Sequence, residues 1–540
     1  MRKISELKPP MTPRQVKVLL SQAKDLLTQM KENEGDLPIK RSDIFTRFMF
    51  FVATQTVMNP APITAKNVGV PSTSGPLEKV DFLPDFISFA PQDEDIPSPL
   101  TGADDSSPDP EKVLHMILSA PVIDDFRQWE DLEAAEKVIA DRLIGLQPEA
   151  LELWPDVTSD ATITNLAFQG LAAHLLVPVT GQGPVAFKVD VSSLGQLAVR
   201  DGNERMGAIA HFDENRNLLS IYVSNDDATY VSGDDLWEHA KWHFRCAVGA
   251  YVTIVSHSIA LHLCLSESTM EACREQLPAD HPLRRLLKPH VFGVGNVNTL
   301  AVRVLLAKGG SAHRLWAFNY DGLVELAKQG AELAPFEPFP QWLKNRGLSN
   351  LSDEMYPYGT DGLALYEICR DYVAGYVEIY FPAESIVSDP AVQAWWQQLN
   401  ATSPKSGLGT LQTKEQLVDL VAQIIFAVSG LHSHVGALTR YLADPRFFAG
   451  KVRAGSELPD IQSTFLIYSM NAVTGVAEPK LLDDYTHMFL ELNKDQAVEV
   501  FQKFQDALIA LGHDIDARNE TRSMPLRTFH PEVLDTSVSK

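Results

Sequence analysis

The sequence predicts a mainly α fold built around one long central helix, with a small antiparallel β element. From residue 235 onward, long segments of helical periodicity are joined by stretches rich in Pro and Gly. Within the first of them, Cys246–Leu265 carries no formal charge, which is typical of a helix that is covered on all sides. Ahead of it, residues 160–225 contain two strand-like segments, AFKVDVSSL and NLLSIYVS, near turn-rich stretches.

The elements divide the chain into two predicted parts. Residues 13–34 and 42–57 show helical periodicity, and residues 91–110 are largely Asp, Ser and Pro, as in a surface connection. We therefore predict a helical N-terminal extension with its connection over 1–110 and one large domain over 111–540. The main helices that we predict in this domain are 235–276, 298–309, 320–330, 362–380, 388–399, 413–441 and 480–511.

Composition excludes some classes of function. With 46 Lys and Arg against 70 Asp and Glu, the net charge is −24, so the chain lacks the basic excess of a nucleic-acid-binding protein. No apolar run follows the basic N-terminal residues, which argues against a secretory signal and predicts a cytoplasmic protein. Histidines within Cys246–Leu265 would be costly in lipid, so we expect no transmembrane segment. The cysteines are too irregularly spaced for a disulfide framework, which predicts buried thiols at Cys246, Cys264, Cys273 and Cys369.

Two histidines of the predicted central helix, His257 and His262, lie five residues apart. On a regular α-helix, side chains share a face at spacings of three or four, so this pair is aligned only if a π-bulge intervenes. Neutral imidazole binds iron, zinc or copper, and the pair therefore indicates a metal site. The alternative is a pair of hydrogen-bonded histidines in a core, which is the commoner case for an unaccompanied pair.

The motifs that follow the pair resemble, in their order, those of the lipoxygenase family. They are REQLPADHPLRRLLKPH (274–290), NVNTLAVRVLL (296–306), YPYGTDGLALYEICRDYVAGYVEIYF (356–381) and VSGLHSHVGALTRY (428–441). The resemblance runs from about Arg142 to the C-terminal residue. It implies a large helical domain with one non-haem iron, and an N-terminal region more similar to that of bacterial members than to the β-barrel of plant and animal members.

In that family, two histidines of the central helix bind the iron, and the resemblance allows two registers for them. Counting from the family's Trp-x-x-Ala-Lys motif, which ends here at Lys241, the first ligand position falls on Val252 and the second on His257. His262 is then a further, non-ligating histidine. A second register makes His257 and His262 the ligands, but it needs five extra residues before the pair and about as many fewer after it. We prefer the first register, which makes Val252 a lost ligand position.

The family's other ligands lie on a second helix and at the chain end. His432 matches the third ligand histidine, whereas the fourth position falls on Gly436, which has no side chain to coordinate a metal. His262 and His434 are possible substitutes, although His434, two residues after His432, should point to another face. The terminal carboxylate belongs to Lys540 where the family has Ile. The resemblance thus leaves His257, His432 and the Lys540 carboxylate, a set found in many Fe(II) oxygenases.

The function that this resemblance implies is a lipoxygenase-like non-haem iron dioxygenase that adds O2 to an unsaturated fatty acid or a related lipid-like substrate. The alternative is a degenerate lipoxygenase fold without iron, acting as a lipid-binding or interaction protein. Ala301 matches a family position beside the substrate, or else is an ordinary core residue. The remaining residues that stand out by type are interpreted as structural: Asp190, His211, Trp395 and Trp396.

Overall fold

The computed structural model describes residues 156–538 apart from 307, 309–310, 334–335, 384, 403–406, 437–440, 442–446, 448, 456–478 and 523–524. The predicted N-terminal extension, the boundary at residue 110 and Lys540 therefore lie outside the described residues. Within the described part, the fold is mainly helical with one small antiparallel sheet, as predicted.

The sheet is a five-stranded antiparallel meander that follows helix α1 (Asp160–Phe168). Its strands pair in chain order: β1 (Leu176–Gln182), β2 (Val185–Asp190), β3 (Ala208–Phe212), β4 (Leu218–Val223) and β5 (Ala228–Tyr230). Strands β2 and β4 lie in the two segments predicted from the sequence. Residues of β3 alternate between buried and half-buried, because successive strand residues point to opposite faces. Strands β3 and β4 contact the beginning of the central helix.

The central helix, α2 (Trp237–Gln276), is continuous but changes its winding twice. It is α-helical over Trp237–Tyr251, π-helical over Val252–Ser266 and α-helical again over Glu267–Gln276. In the π-helical part, the hydroxyls of Ser258 and Ser266 donate to carbonyls five residues back, at 2.8 and 2.9 Å. These side-chain bonds follow the pattern of a π-helix, in which main-chain hydrogen bonds join residues that are five positions apart.

Nine further helices follow α2 in the described part of the chain, and several of them pack against it. They are α3 (Pro282–Leu287), α4 (Val294–Leu300, continued by a π-helical turn Ala301–Leu306), α5 (Ser311–Leu315), α6 (Tyr320–Ala331), α7 (Phe339–Asn345), α8 (Pro357–Tyr380), α9 (Pro390–Thr402), α10 (Lys414–Gly436, π-helical over Ala427–Leu431) and α11 (Lys494–Asn519), with a 3₁₀ turn at Lys288–Val291. Helices α2 and α10 are long and apolar enough to cross a membrane, but 83% of each apolar window is buried inside the protein.

Several helix boundaries follow from side-chain capping. Asn319 accepts a hydrogen bond from the Gly322 amide at 2.9 Å and starts α6, and a capping box between Thr413 and Gln416 starts α10. The last helix was predicted to begin at residue 480, but it begins at Lys494. The preceding segment instead forms turns in which the Asp483 and Asp484 carboxylates bond to nearby main-chain amides, which competes with helix formation.

Helix α6 lies close to the π-helical part of α2 because one of its residues is a glycine. A Cβ at Gly330 would come within 2.5 Å of the Ile259 Cβ and 2.9 Å of the Val255 carbonyl oxygen. Only a residue without a side chain allows this approach. The backbone of α6 therefore helps to set the position of the segment that carries His257 and His262.

The C-terminal segment enters the core. Thr536 and Val538 have no exposed surface, and the Ser537 hydroxyl donates to the Phe292 carbonyl at 2.8 Å. Nδ1 of the buried His290 lies 3.0 Å from the Thr536 carbonyl oxygen. Since a carbonyl can only accept, His290 is the donor, and it fastens the chain end to the segment between α3 and α4.

Candidate metal centre

Three histidine side chains converge on one point between helices α2 and α10. The Nε2 atom of His257 lies 3.0 Å from that of His432, and Nε2 of His262 lies 3.1 Å from both. His257 and His262 project from the π-helical part of α2, where a five-residue repeat brings them together. His432 is the first residue after the π-helical turn of α10.

The spacing of these nitrogens fits three ligands of one metal ion. Three imidazoles at about 2.1 Å from an ion and at right angles to one another have nitrogens about 3.0 Å apart. The observed distances of 3.0–3.1 Å match one triangular face of an octahedral site. The donor set therefore fits a divalent transition-metal ion, with iron among the ions that imidazole suits.

Asn298, on α4, fixes the orientation and tautomer of His262. Its amide nitrogen donates to the His262 carbonyl at 3.1 Å and to a Glu267 carboxylate oxygen at 2.5 Å, which identifies the other amide atom as oxygen. That oxygen lies 3.0 Å from Nδ1 of His262 and can only accept. Nδ1 of His262 therefore carries the proton, and Nε2 presents its lone pair to the cluster, as in metal-ligating histidines.

Burial favours the neutral, metal-binding form of two histidines of the cluster, His257 and His262. Burial lowers the pKa of His262 to about 4, against a raising effect of its hydrogen bond to Asn298. Burial also holds the pKa of His257 well below its usual value, and the adjacent His262 and His432 lower it further. A neutral imidazole needs no deprotonation before it binds a metal.

This geometry adds His262 to the histidines that can hold a metal, in the substitute role that the sequence offered. His262, interpreted from the sequence as non-ligating or as a substitute, lies in the cluster with His257 and His432. Val252 is fully buried at the first turn of the π-helical part, five residues before His257. Val252 as a lost ligand position therefore stays a prediction.

On helix α10, Gly436 and His434, the two other positions considered as ligand positions, lie in different surroundings. A Cβ at Gly436 would lie 3.3 Å from Nε2 of His257, so position 436 faces the cluster and leaves space beside it. His434 lies outside the cluster: its Nε2 is 3.1 Å from Nδ1 of His174, and its ring packs on Tyr358. A substitute-ligand role for His434 is therefore not supported, because at i+2 it points to another face of the helix.

The other predicted site residues lie as follows. Ala301 is half-buried at the start of the π-helical turn of α4, three residues after Asn298. Lys540 lies outside the described residues, although the segment leading to it is buried. The four residues interpreted as structural make ordinary packing and polar contacts: Asp190 with Lys188 at 2.9 Å, His211 with Ser220 at 3.2 Å, Trp395 in the core and Trp396 with the Gly409 carbonyl at 3.0 Å.

Two contributors to this centre were missed by sequence reasoning. One is the role of Asn298 and Glu267 around His262. The other is His174, which precedes β1 and whose two ring nitrogens lie 3.1 Å from His434 and 2.9 Å from the Ser256 hydroxyl. His174 thereby links the two helices that carry the cluster. Its partners Ser256 and His434 are 82 and 260 residues away along the chain, so no local sequence pattern predicts these contacts.

Comparison with known proteins relates this chain to the lipoxygenase family. The sequence model of the lipoxygenase family matches residues 210–442. The chain is 31% identical to the chloroplastic linoleate 13S-lipoxygenase 2-1 of Solanum tuberosum over 242 residues, 41% of this chain and 26% of that protein. It is 27% identical to the polyunsaturated fatty acid lipoxygenase ALOX15 of Sus scrofa over 326 residues, 56% of this chain and 49% of that protein. The chain thus matches between about a quarter and about half of the length of these relatives.

Solved lipoxygenase structures share the fold. A lipoxygenase variant crystallised anaerobically with arachidonate superposes with a TM-score of 0.72 at 16% identity, covering 92% of this chain and 81% of that chain. Coral 8R-lipoxygenase superposes with a TM-score of 0.72 at 17% identity, with the same coverage. At these identities, the structural likeness concerns the fold alone. The family model, the relatives and the fold together support membership of this chain in the lipoxygenase family.

Proposed function

We propose that this protein is a non-haem iron oxygenase that adds O2 to an unsaturated fatty acid, with the iron held by His257, His262 and His432. The observation that carries the proposal is the triangle of three Nε2 atoms at 3.0–3.1 Å. The terminal carboxylate of Lys540 remains a predicted further ligand. Gly436 leaves a position open where a side chain would otherwise face His257.

The substrate class rests on the relatives. Two of them are named for linoleate and for polyunsaturated fatty acids, and a structural neighbour holds arachidonate. When bound, the iron supplies the one-electron oxidation that removes hydrogen from a methylene between two double bonds, and O2 then traps the lipid radical. Since the chain has a net charge of −24, a fatty-acid anion must be bound through burial of its apolar tail rather than through the overall field.

The side chains around the site have separate tasks in this proposal. Burial lowers the pKa of His257 and of His262, which favours the neutral imidazole at both positions. Asn298 holds His262 with its lone pair toward the cluster. Ala301, three residues further along α4, is the substrate-side position that we propose, and exchange for a bulkier residue there should alter product distribution.

The test is iron content and O2 uptake measured on the same samples. Wild type purified without chelators and loaded with Fe(II) should retain iron at the cluster and consume O2 with linoleate. His432→Ala should lose both, because it removes one corner of the triangle. His211→Gln is the control, because His211 lies on β3, bonds to Ser220 and is outside the cluster, and this variant should retain both properties.

Two outcomes would overturn the proposal. Wild type that retains no iron at the cluster would favour the iron-free alternative, and tight fatty-acid binding in that sample would identify a lipid-binding protein. Iron retained equally by His432→Ala and wild type would show that the ion lies elsewhere. Shorter unsaturated acids, run in parallel with linoleate, test the substrate class separately from the metal.

A further inference from the structure

A second histidine pair lies at the beginning of α2, away from the three-histidine cluster. His239 and His243 are four residues apart in the α-helical part of the helix, so they share one face. Glu204, in the segment before β3, faces both of them. Its carboxylate oxygen Oε2 lies 3.1 Å from Nε2 of His239 and 3.8 Å from Nε2 of His243.

The position of Glu204 is fixed by its main chain. Its amide donates to the Val452 carbonyl at 2.8 Å, and its side chain is only 11% exposed. The carboxylate is therefore held between the sheet and the first turns of α2. A second carboxylate, Asp226 on the turn between β4 and β5, adds negative potential at both histidines and raises the pKa of each.

The buried ring nitrogens of His243 are not accounted for by contacts within the protein. Its side chain has no exposed surface, and neither ring nitrogen has a partner of hydrogen-bond geometry among the described residues. The Arg205 main chain is near enough to raise its pKa but does not meet that geometry, and burial, the larger effect, lowers the pKa to about 4. A buried, neutral, unpaired imidazole is rare in native proteins and often marks an ion or a water.

We propose that Glu204, His239 and His243 form a second metal site, which takes a borderline divalent ion such as Zn(II). Two histidines at i and i+4 on a helix together with one carboxylate provide a tetrahedral set whose fourth position is left to water. The hydrogen bond between His239 and Glu204 explains His239 but leaves His243 unpaired. A cation beside Glu204 gives all three side chains a partner.

Binding requires only a modest rearrangement. The rings of His239 and His243 are 6.1 Å apart between centroids, so His239 turns about its side-chain bonds toward His243. His239 can do so because its side chain is 24% exposed, which also gives the ion a path from solvent. The bound ion would join the segment before β3 to the first turns of α2.

The test is Zn(II) stoichiometry by equilibrium dialysis of the full chain at neutral pH, compared among wild type and five variants. Wild type should bind two equivalents, His243→Gln one, His432→Ala one, and the double variant none. His211→Gln is the control, because His211 lies on β3 and bonds to Ser220 rather than to Glu204, and it should still bind two. Glu204→Gln, a milder change, should weaken the second site at least tenfold while far-ultraviolet circular dichroism stays that of wild type.

The two sites fail in distinguishable ways. One equivalent in wild type and none in His432→Ala would overturn the second site and leave the three-histidine centre standing. One equivalent in wild type and none in His243→Gln would do the reverse. As an independent readout, Zn(II) should raise the melting temperature of His432→Ala but not that of the double variant, and equal shifts in the two would overturn the proposal.

Discussion

The two parts of helix α2 carry histidine pairs at different spacings and use them differently. In the α-helical part, His239 and His243 are four residues apart and their ring centroids are separated by 6.1 Å. In the π-helical part, His257 and His262 are five residues apart, yet their centroids are only 4.7 Å apart. The spacing of a ligand pair therefore has meaning only together with the winding of the helix that carries it.

The surroundings of the two pairs differ as well. In the π-helical part, Asn298 presets the tautomer of His262, and the third nitrogen comes from another helix, so three imidazole nitrogens already converge on one point. In the α-helical part, the Glu204 carboxylate bonds to His239 and lies near His243 without bonding to it, and the His239 ring reaches solvent. In the two proposals, the first arrangement is organised before an ion binds, whereas the second would be completed by the ion.

The largest expected effect comes from a substitution in the helix that packs against the π-helical part of α2, because it should disturb one histidine pair and leave the other unchanged. Gly330→Val places a side chain where even a Cβ would lie 2.5 Å from the Ile259 Cβ. We expect the free energy of unfolding to fall by about 3 kcal/mol, as for other overpacked cores, together with weaker Fe(II) binding by the cluster. Zn(II) binding by His239 and His243 should persist. Urea unfolding and metal titration measure these effects, and Lys328→Ala, exposed on the same helix, is the control.

His290 lies outside α2 and belongs to neither histidine group, so it shows the effect of burial alone on the pH dependence of the free energy of unfolding. Burial lowers the pKa of His290 to about 4 in the folded protein, while the unfolded chain has a value near 6.5. The unfolded state therefore takes up the proton first as pH falls. The stabilisation is complete above pH 6.5 and is lost toward pH 4, by about 3 kcal/mol.

His290→Asn keeps a donor for the Thr536 carbonyl but cannot titrate. Its free energy of unfolding should therefore decline less between pH 6.5 and pH 4 than that of wild type, by the same amount. Urea unfolding of both proteins at a series of pH values measures the difference. Parallel curves would show that His290 is not held neutral in the fold.

The orienting residue of the π-helical pair should have a smaller effect on metal affinity than a ligand. Asn298→Ala removes the acceptor that holds the proton on Nδ1 of His262. Loss of such a partner typically weakens metal binding about 10- to 100-fold. Fe(II) titration under anaerobic conditions measures it. Ser258→Ala, whose hydroxyl bonds only to the Thr253 carbonyl of the same helix segment, is the control, and equal affinities in the two variants would contradict the role of Asn298.

The smallest expected effect concerns the open position on α10. In Gly436→Ala, the new methyl group would lie 3.3 Å from Nε2 of His257, a contact that a shift of a few tenths of an ångström relieves. We expect Fe(II) affinity to change less than about tenfold. Gly512→Ala is a matched control, since its Cβ would meet Nε2 of His530 at the same 3.3 Å. If Gly436→Ala abolished iron binding, the space beside His257 would be essential rather than spare.

Local patterns predicted most of the fold because they follow from side-chain periodicity and capping. The apolar run of α2 and the strand-like segments at β2 and β4 appear in the structure where the sequence placed them. The beginning of α11 was wrong because Asp side chains stabilise turns ahead of it. The four cysteines are free and buried, as the irregular spacing predicted.

The positions of the metal-binding histidines were harder to predict than the helices and strands, for a physical reason. The segment Val252–Ser266 is apolar on all sides, so its sequence shows no polar face that would distinguish a five-residue from a four-residue repeat. Counting from Lys241 gave Val252 and His257 as ligand positions and His262 as a possible substitute, and the structure places His262 with His257 and His432. Contacts such as those of Asn298 with His262 or Glu204 with His239 join residues more than 30 positions apart. They arise from packing, which one sequence does not display.

The most direct test of the three-histidine centre is X-ray absorption at the iron edge. Fe(II) would be added at one equivalent in a His243→Gln background, where the second proposed site is removed. The account predicts three imidazole ligands at about 2.1 Å, and two in the additional variant His262→Gln. An imidazole count that His262→Gln leaves unchanged, or iron without imidazole ligands, would contradict it.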